Sequence, residues 1–291
     1  MKRTGITVIM LLLTFAAWSQ TDKLDSLLND VVWDDGEMSR LFNPPSSFCY
    51  LYGGVAGENK TMYAGRELEE NMMAINGNLY FFHAKGFFIG ASGAWYGEPV
   101  DGYSVTVASA GLNTPLNIKR SLNLRASYSR YFYANNDTAT ENPYTNNLGI
   151  GISLRNSRIG GRLSINMLFG QDFGMNLTPT VFSRLPIVKF GKYNKIQFEP
   201  ELSAFFGSES VELEKISGTN PQQSGSQTTS TTENTYGLLN TRFYLPICFY
   251  IGDFDLELGY SINIPSTQDD YTKYPVSSLF SFSIGYLLPL N

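Results

Sequence analysis

The sequence is poor in the residues on which most catalytic and metal sites depend. Its 291 residues include two cysteines and one histidine, and 16% of them are charged. Cys49 and Cys248 are too few for a disulfide-stabilised scaffold, and we interpret them as small apolar side chains in different strands, not bonded to each other. His83 has no second histidine to join it. Without a histidine and cysteine cluster or a Gly-x-Ser-x-Gly motif, the sequence predicts no catalytic residues, no metal site and no cofactor.

The sequence also lacks long apolar runs and an excess of positive charge. Beyond the N-terminus, no segment approaches the roughly 18 consecutive apolar residues of a membrane-spanning helix. The formal net charge is −5, so a basic face for nucleic acid is not expected. Such a chain can cross a membrane only as a closed β-barrel, in which every backbone polar group is paired with a neighbouring strand.

The N-terminus has the layout of an export signal. Lys2 and Arg3 precede an apolar stretch at 6–17, and Ala17 and Ser19 place small residues where a signal peptidase recognises them. The apolar stretch is too short for an ordinary membrane helix. We therefore predict a signal peptide at 1–19 that is cleaved after Ser19.

Most of the remaining sequence has the period of β-strands. In FDLELGYSINI, at 254–264, every second residue from Phe254 to Ile264 is apolar, and the residues between are charged, polar or glycine. The same period recurs at 122–129, 148–155, 195–206 and 280–288. Because successive side chains of a strand point to opposite faces, each segment has one apolar and one polar face. Strands of soluble proteins are usually about five or six residues long, so these longer segments favour an apolar face that contacts lipid.

Twelve such strands are predicted in a barrel domain at 47–291, bounded by Gly, Pro, Asn and Asp clusters. They are assigned to residues 47–56, 72–83, 86–97, 103–118, 121–133, 146–155, 159–169, 174–189, 195–207, 236–251, 254–264 and 277–288. Short turns alternate with longer connections, of which the longest is predicted at 208–235. The pattern is typical of an all-β, antiparallel, up-and-down barrel that spans a membrane. An even number of strands places both termini on the side of the short turns.

A separate segment at 20–46 precedes the barrel. KLDSLLNDVVW, at 23–33, spaces apolar residues as a helix does, and Thr21 and Asp22 are suited to cap its start. We predict a short helix or an irregular tether here. A plug inside the barrel is the alternative.

These features together resemble the bacterial outer-membrane β-barrel proteins over nearly the whole chain. The resemblance is carried by the export signal, the alternating strands, the C-terminal strand LFSFSIGYLLPLN and aromatic residues near strand ends: Trp95, Tyr96, Tyr103, Tyr131, Tyr133, Tyr236 and Tyr250. It implies a location in the outer membrane of a Gram-negative bacterium, with both termini in the periplasm. The implied partners are outer-membrane lipid, lipopolysaccharide and the barrel-assembly machinery, with a surface or envelope protein as a further candidate.

The charged residues on the polar faces of the strands are the candidate functional residues. A charge on the lipid face costs about 2–4 kcal/mol for Arg or Lys at the middle of the membrane, so these residues should face a wet or paired interior. Seven of them lie near the short-turn ends of their strands, with the basic residues on one wall and the acidic residues on another: Arg125, Arg155 and Arg162, and Glu199, Glu201, Asp255 and Glu257. The eighth, Arg242, lies on the tenth predicted strand, beside the acidic strands.

Two interpretations of these charges remain open. In the first, they frame an aqueous constriction that selects small polar solutes, as in general porins. In the second, they pair across a narrow interior and close it, as in small structural barrels. A barrel of twelve strands is intermediate in size. Side chains fill the interior of a barrel with roughly eight strands, whereas roughly sixteen strands leave a channel. We expect a non-enzymatic barrel that is a passive channel for small polar solutes, with a structural or surface-binding barrel as the alternative.

Overall fold

Antiparallel β-strands make up almost all of the described structure. The computed structural model describes residues 49–60, 62–63, 66–67, 73–96, 103–117, 121–133, 144–156, 158–190, 194–216, 228–266 and 274–290. The predicted signal peptide at 1–19 and the predicted segment at 20–46 lie outside these residues. The strands are β1 (Cys49–Glu58), β2 (Met62–Tyr63), β3 (Arg66–Glu67), β4 (Ala74–His83), β5 (Phe87–Tyr96), β6 (Tyr103–Pro115), β7 (Leu122–Tyr133), β8 (Tyr144–Arg155), β9 (Ile159–Gly170), β10 (Phe173–Ser183), β11 (Leu185–Phe190), β12 (Asn194–Phe198), β13 (Glu201–Ile216), β14 (Thr228–Tyr244), β15 (Ile247–Ile251), β16 (Phe254–Pro265) and β17 (Ser277–Leu290). The described part of the chain holds no helix with the length and apolar character that a membrane span requires.

The sheet closes on itself as a barrel. Fifteen strands form one sheet, while β2 and β3 pair with each other. β1 pairs with β4 on one side and β17 on the other, so that Cys49 lies opposite both His83 and Leu290. β10 and β11, β12 and β13, and β14 and β15 are each two segments of one barrel strand, which gives twelve barrel strands in all. The predicted all-β, antiparallel, up-and-down barrel of twelve strands is confirmed.

The two faces of the wall differ as the two-residue period predicts. On β16, Phe254 and Leu258 are 48% and 51% exposed on the outer face, whereas Ser261 and Asn263 are each 3% exposed on the inner face. Burying apolar surface is worth about 25 cal/mol per Å², so an outer face of this composition is suited to lipid and poorly suited to water. Other exposed apolar side chains on this face are Ile75, Leu79, Ile89, Leu148, Ile150, Ile152, Leu154, Val181, Phe280, Phe282 and Ile284.

Short turns and both ends of the described chain lie at one end of the barrel, which we name the turn end. In the turn between β4 and β5, the Gly86 N–H donates to the His83 carbonyl at 2.8 Å. Gly86 has φ 88°, and Gly252, in the turn between β15 and β16, has φ 59°. Glycine adopts these angles without the strain that a Cβ would add. The opposite end of the barrel is named the loop end.

The predicted long connection at 208–235 is wrong. β13 continues to Ile216 and β14 begins at Thr228, and these two residues pair with each other. The polar, Thr-rich composition suggested a loop, but Thr is a good strand former and each strand supplies hydrogen-bond partners for the other. The connection between β9 and β10 is also short, with Gly170 N–H donating to the Asp172 carbonyl at 3.1 Å.

Three adjacent barrel strands are interrupted near the turn end. The interruptions fall at Arg184, at 199–200 and at 245–246. Pro200 and Pro246 stand at two of them, where proline cannot donate a ladder hydrogen bond. The strands stay joined because the Glu199 N–H donates to the Pro246 carbonyl at 3.1 Å.

Inner aromatic rings pack against glycines of neighbouring strands. A Cβ added to Gly111 on β6 would lie 2.5 Å from Cζ of Phe88 on β5, so the ring occupies the space above that glycine. The rings of Tyr131 and Tyr133 stack, with their centroids 6.3 Å apart. Both residues were predicted to be among the aromatic residues near strand ends. Tyr131 is buried at 3% exposure, whereas Trp95 is exposed on the outer face.

Candidate functional site: the charged layer

The candidate residues come together inside the barrel near the turn end, where they form what we name the charged layer. Strand alternation turns Arg125, Arg155 and Arg162 to the same face as buried neighbours. Arg155, for example, follows buried Ser153 and the exposed Leu154. The remaining members are Glu199, Glu201, Arg242, Asp255 and Glu257. The structure thus brings all eight predicted residues to the interior.

Two ion pairs join the basic and acidic sides of the charged layer along the wall. Arg162 Nη2 on β9 lies 3.8 Å from Glu201 Oε2 on β13. Arg184 Nε, between β10 and β11, lies 3.4 Å from Glu199 Oε2, between β12 and β13. Arg162 and Glu199 are 8% and 7% exposed. Charges so deeply buried need partners, and these pairs supply them.

Tyrosine hydroxyls donate to three of the four carboxylates. Tyr52 on β1 donates to Asp255 Oδ2 at 3.3 Å, and Tyr250 on β15 donates to Glu199 Oε1 at 3.2 Å. Tyr244 on β14 donates a short hydrogen bond to Glu257 Oε1.

The second oxygen of Glu257 also has a donor. Cys248 Sγ lies 3.9 Å from Glu257 Oε2. Hydrogen bonds to ionised acceptors are stronger than those between neutral groups. The phenols and the thiol therefore hold the carboxylates in fixed positions.

Two arginines of the charged layer lie over aromatic rings. The Arg125 guanidinium is 5.0 Å from the centroid of the Phe88 ring. The Arg242 guanidinium is 5.4 Å from the Phe205 ring and 5.6 Å from the Tyr244 ring. Stacking of this kind stabilises a cation and holds it against the wall.

Sequence reasoning missed several members of the charged layer. Arg184 follows Phe182 by two residues and continues its inner face, so the alternation could have identified it. Tyr52, Tyr244 and Tyr250 gave no such signal, because a tyrosine on an inner face has many roles and its acidic partner is set by strand register. Tyr250 was interpreted as one of the aromatic residues near strand ends, but its hydroxyl contacts Glu199.

The two cysteines and the histidine have no predicted catalytic or metal-binding role. Cys49 and Cys248 are free thiols, and their strands, β1 and β15, are not neighbours, so the prediction that they are not bonded is confirmed. His83 lies at the turn between β4 and β5, where its Nδ1 accepts from the Lys85 N–H at 3.1 Å. Within the described ranges, no group of three or more His, Cys, Asp or Glu residues is placed to hold a metal ion.

Comparisons with known proteins identify relatives in fold. No protein-family model matches the sequence, and the comparison with curated proteins found no match. Among solved structures, the KdgM porin has a TM-score of 0.43 and 11% identity, covering 82% of this chain and 98% of KdgM. An outer-membrane channel from Pseudomonas putida F1 has a TM-score of 0.44 and 12% identity, covering 84% and 95%. The translocator domain of the autotransporter NalP from Neisseria meningitidis has a TM-score of 0.41 and 10% identity, covering 94% and 96%. The structural neighbours are outer-membrane β-barrel proteins, and likeness of this degree concerns the fold alone.

Proposed function

We propose that the protein is an integral outer-membrane barrel that acts as a passive channel for small polar solutes. The observation that carries the proposal is the direction of the contacts in the charged layer. The ion pair of Arg162 with Glu201 skips one strand, as does the Tyr52 to Asp255 hydrogen bond. The ion pair of Arg184 with Glu199 and the hydrogen bonds from Tyr244 and Tyr250 join neighbouring strands. These contacts run along the wall and hold the side chains against it. They support the aqueous constriction over the barrel closed by charges that meet across it.

The charged layer would act on solutes through its field. Arg125 and Arg155 lie on β7 and β8, while Asp255 and Glu257 lie on β16, several strands away around the barrel. A constriction with cations on one wall and anions on another orients dipolar solutes and sorts ions by charge. No nucleophile or general base is assigned in this proposal, since His83, the histidine of the sequence, lies at a turn. The protein is therefore proposed to be non-enzymatic.

The proposed setting follows from the two faces of the wall. The apolar outer face would contact outer-membrane lipid and lipopolysaccharide of a Gram-negative bacterium, after export through the predicted signal peptide and insertion by the barrel-assembly machinery. The turn end would face the periplasm with both termini, because short turns lie on that side in outer-membrane barrels.

Single-channel recording tests the proposal. The purified mature protein, refolded and inserted into a planar bilayer, should give stable conductance steps. Arg125→Gln should shift the reversal potential in a salt gradient toward cation preference, and Glu257→Gln should shift it in the opposite direction. Ser129→Ala is the matched control, because Ser129 lies on the strand of Arg125 and pairs with Ser109 at 2.8 Å. Absence of steps from folded protein would reject the channel, and unchanged reversal potentials in both charge variants would reject the filter.

A structural or surface-binding barrel is the second candidate, and the paired β13 and β14 favour it. The register of β14 with β16 ends at Asn240 and Pro265, whereas β14 pairs with β13 as far as Thr228. The hairpin therefore extends beyond the described pairing of β16 at the loop end, where a partner could bind it. Binding of a surface or envelope protein that is lost when the hairpin is shortened, in a barrel without conductance, would favour this candidate.

A further inference from the structure

One arginine of the barrel wall faces away from the interior. Arg130 lies on β7, five residues beyond Arg125 in the direction of the loop end. Because the spacing is odd, the two side chains point to opposite faces of the wall. Arg130 is exposed, whereas its neighbours Ser129 and Tyr131 are buried on the inner face. Arg130 therefore projects from the outer face, which is otherwise mostly apolar.

Arg130 lies near the loop end of the outer face. β7 ends three residues later, at Tyr133. The outer-face residues on either side of Arg130 are aromatic, and Tyr128 and Phe132 are 44% and 54% exposed. Aromatic residues of membrane barrels gather where the apolar layer meets the headgroups. A charge on the lipid face is costly at the middle of the membrane and is tolerated near its surfaces. These features place Arg130 at the level of lipid headgroups.

Asn146 on β8 holds the guanidinium in place. Arg130 Nη1 donates to Asn146 Oδ1 at 2.8 Å, and the Tyr128 hydroxyl donates to the same oxygen at 2.6 Å. Asn146 Nδ2 in turn donates to the Phe169 carbonyl at 3.2 Å, and Asn146 is only 8% exposed. Because the carboxamide is neutral, it positions the guanidinium and leaves the positive charge in place.

The guanidinium keeps hydrogen-bond donors for a ligand. An arginine has five N–H donors, and the contact that Arg130 makes within the described ranges is the one to Asn146 through Nη1. The two ion pairs found there belong to Arg162 and Arg184. A planar guanidinium can form two parallel hydrogen bonds to one phosphate group. Arg130 is therefore suited to an anionic headgroup.

Small side chains make the wall beside Arg130 shallow. Ala108 on β6 lies opposite Arg130, and Ala91 on β5 lies opposite Ala108. One outward position closer to the loop end, Thr106 and Gly93 lie opposite each other. Larger exposed apolar side chains border this depression: Leu79, Ile89 and Phe132. Dispersion attraction requires close contact, so the depression lets an acyl chain lie against the wall.

We propose that Arg130 and the depression beside it bind lipopolysaccharide. The guanidinium binds a phosphate of the lipid headgroup, and an acyl chain packs on Ala91 and Ala108. A cation next to an apolar depression matches a ligand in which phosphate groups and acyl chains are close together. The inference rests on the proposed setting, in which the loop end faces the outside of the cell, and it names the lipid site of the barrel. It does not depend on whether the barrel conducts.

Native mass spectrometry of the folded mature barrel in detergent tests the inference. The probe is lipid A with both phosphates, and the comparison ligand is the same lipid with both phosphates removed. The original protein should bind the phosphorylated lipid about tenfold more tightly, because hydrogen bonds between charged groups are strong. Arg130→Gln should weaken binding of the phosphorylated lipid about tenfold and remove the preference between the two lipids.

The matched control is Arg158→Gln. Arg158 is also exposed, but it lies between β8 and β9 at the turn end. Its affinity for phosphorylated lipid A should stay within about twofold of the original, because it lies in the other leaflet. Arg130→Lys keeps the charge and loses the two-bond geometry, so it should weaken binding about threefold. This variant replaces Arg130→Gln if the latter does not fold, as judged by heat-modifiable migration on a gel.

Four results would overturn the inference. Two of them are equal binding of both lipids by the original protein and equal effects of the Arg130 and Arg158 variants. The third is competition by phosphatidylglycerol at the concentration of lipid A, which would assign the site to glycerophospholipids. The fourth is displacement of lipid A by millimolar inorganic phosphate, which would assign it to a free anion.

Bilayer recording separates this inference from the proposed function. Conductance steps from a barrel without preference for the phosphorylated lipid leave the channel standing and remove the lipid site. The preference, in a barrel that gives no steps, supports the lipid site and rejects the channel.

Discussion

Each carboxylate of the charged layer is held by a donor from another strand. Glu199 has both an ion pair with Arg184 and a hydrogen bond from Tyr250, while Glu201 has its ion pair with Arg162. Buried ion pairs of this kind add little net stability, because the desolvation cost offsets much of the Coulomb attraction. At the scale of single residues, the charged layer is thus an arrangement of fixed charges.

The ion pair of Arg162 with Glu201 should show strong coupling. Arg162→Met removes the buried guanidinium and takes a partner from the half-buried Glu201 carboxylate, which should cost about 3 kcal/mol of unfolding free energy. Arg162→Met/Glu201→Met should cost less than that single change, because neither charge remains. Urea unfolding in detergent, followed by tryptophan fluorescence, measures all three variants. Additive losses would show that the pair does not act as a unit.

Packing of aromatic rings over glycine is a second residue-scale property. Gly111→Ala would place a methyl group 2.5 Å from both the Ala126 carbonyl oxygen and the Phe88 ring, and overpacking of this kind costs about 1–3 kcal/mol. Gly77→Ala is the control, since no atom lies within 4 Å of the added group. The melting temperature of heat-modifiable migration should fall for Gly111→Ala alone. Equal behaviour of the two variants would contradict the packing.

At the scale of elements, the hairpin of β13 and β14 is the least expected feature. The inner half of the hairpin is the half nearer the turn end. It belongs to the barrel wall, where Leu177 of β10 lies opposite Phe206 of β13. Its outer half continues from the pair Glu209 and Thr235 to the pair Ile216 and Thr228. Among the described residues, the pairings of that outer half are internal to the hairpin. The barrel wall should therefore not depend on it.

Shortening the hairpin tests this separation. Replacing residues 210–234 by Asn-Gly, a dipeptide suited to a two-residue turn, should leave the unfolding free energy of the barrel within about 0.5 kcal/mol, the usual range for changes away from core features. Heat-modifiable migration and conductance should stay as in the original chain. Failure to fold would show that the outer half supports the wall.

At the scale of the whole molecule, the barrel has two unlike ends. The described chain begins and finishes at the turn end, where Cys49 pairs with Leu290. The extended hairpin lies at the loop end. The charged layer lies nearer the turn end.

Labelling with a membrane-impermeant maleimide tests the orientation of these ends. In a Cys49→Ala/Cys248→Ala background, Asp172→Cys at the loop end should react on intact cells. Lys85→Cys, at the turn between β4 and β5, should react only after the outer membrane is permeabilised. Both positions are exposed, so accessibility within the barrel does not decide the result. The reverse pattern would place the turn end outside the cell.

The sequence by itself determined the fold class, because a two-residue period in stretches such as 254–264 fixes which side chains face out and which face in. It also determined that Arg125 and Glu257 face the interior, since a charge on the lipid face is costly. It misplaced the ends of β13 and β14, because local composition does not report hydrogen bonds that another strand supplies.

Only the tertiary structure decided which groups meet. Tyr52 and Asp255 are 203 residues apart in the chain, and the closure of β17 on β1 brings them together. Glu199 and its ion-pair partner Arg184 lie at strand interruptions in neighbouring barrel strands. The hydrogen bond from Asn240 to Asn263 likewise depends on strand register, because a shift of one residue would turn one of the two carboxamides to the lipid face.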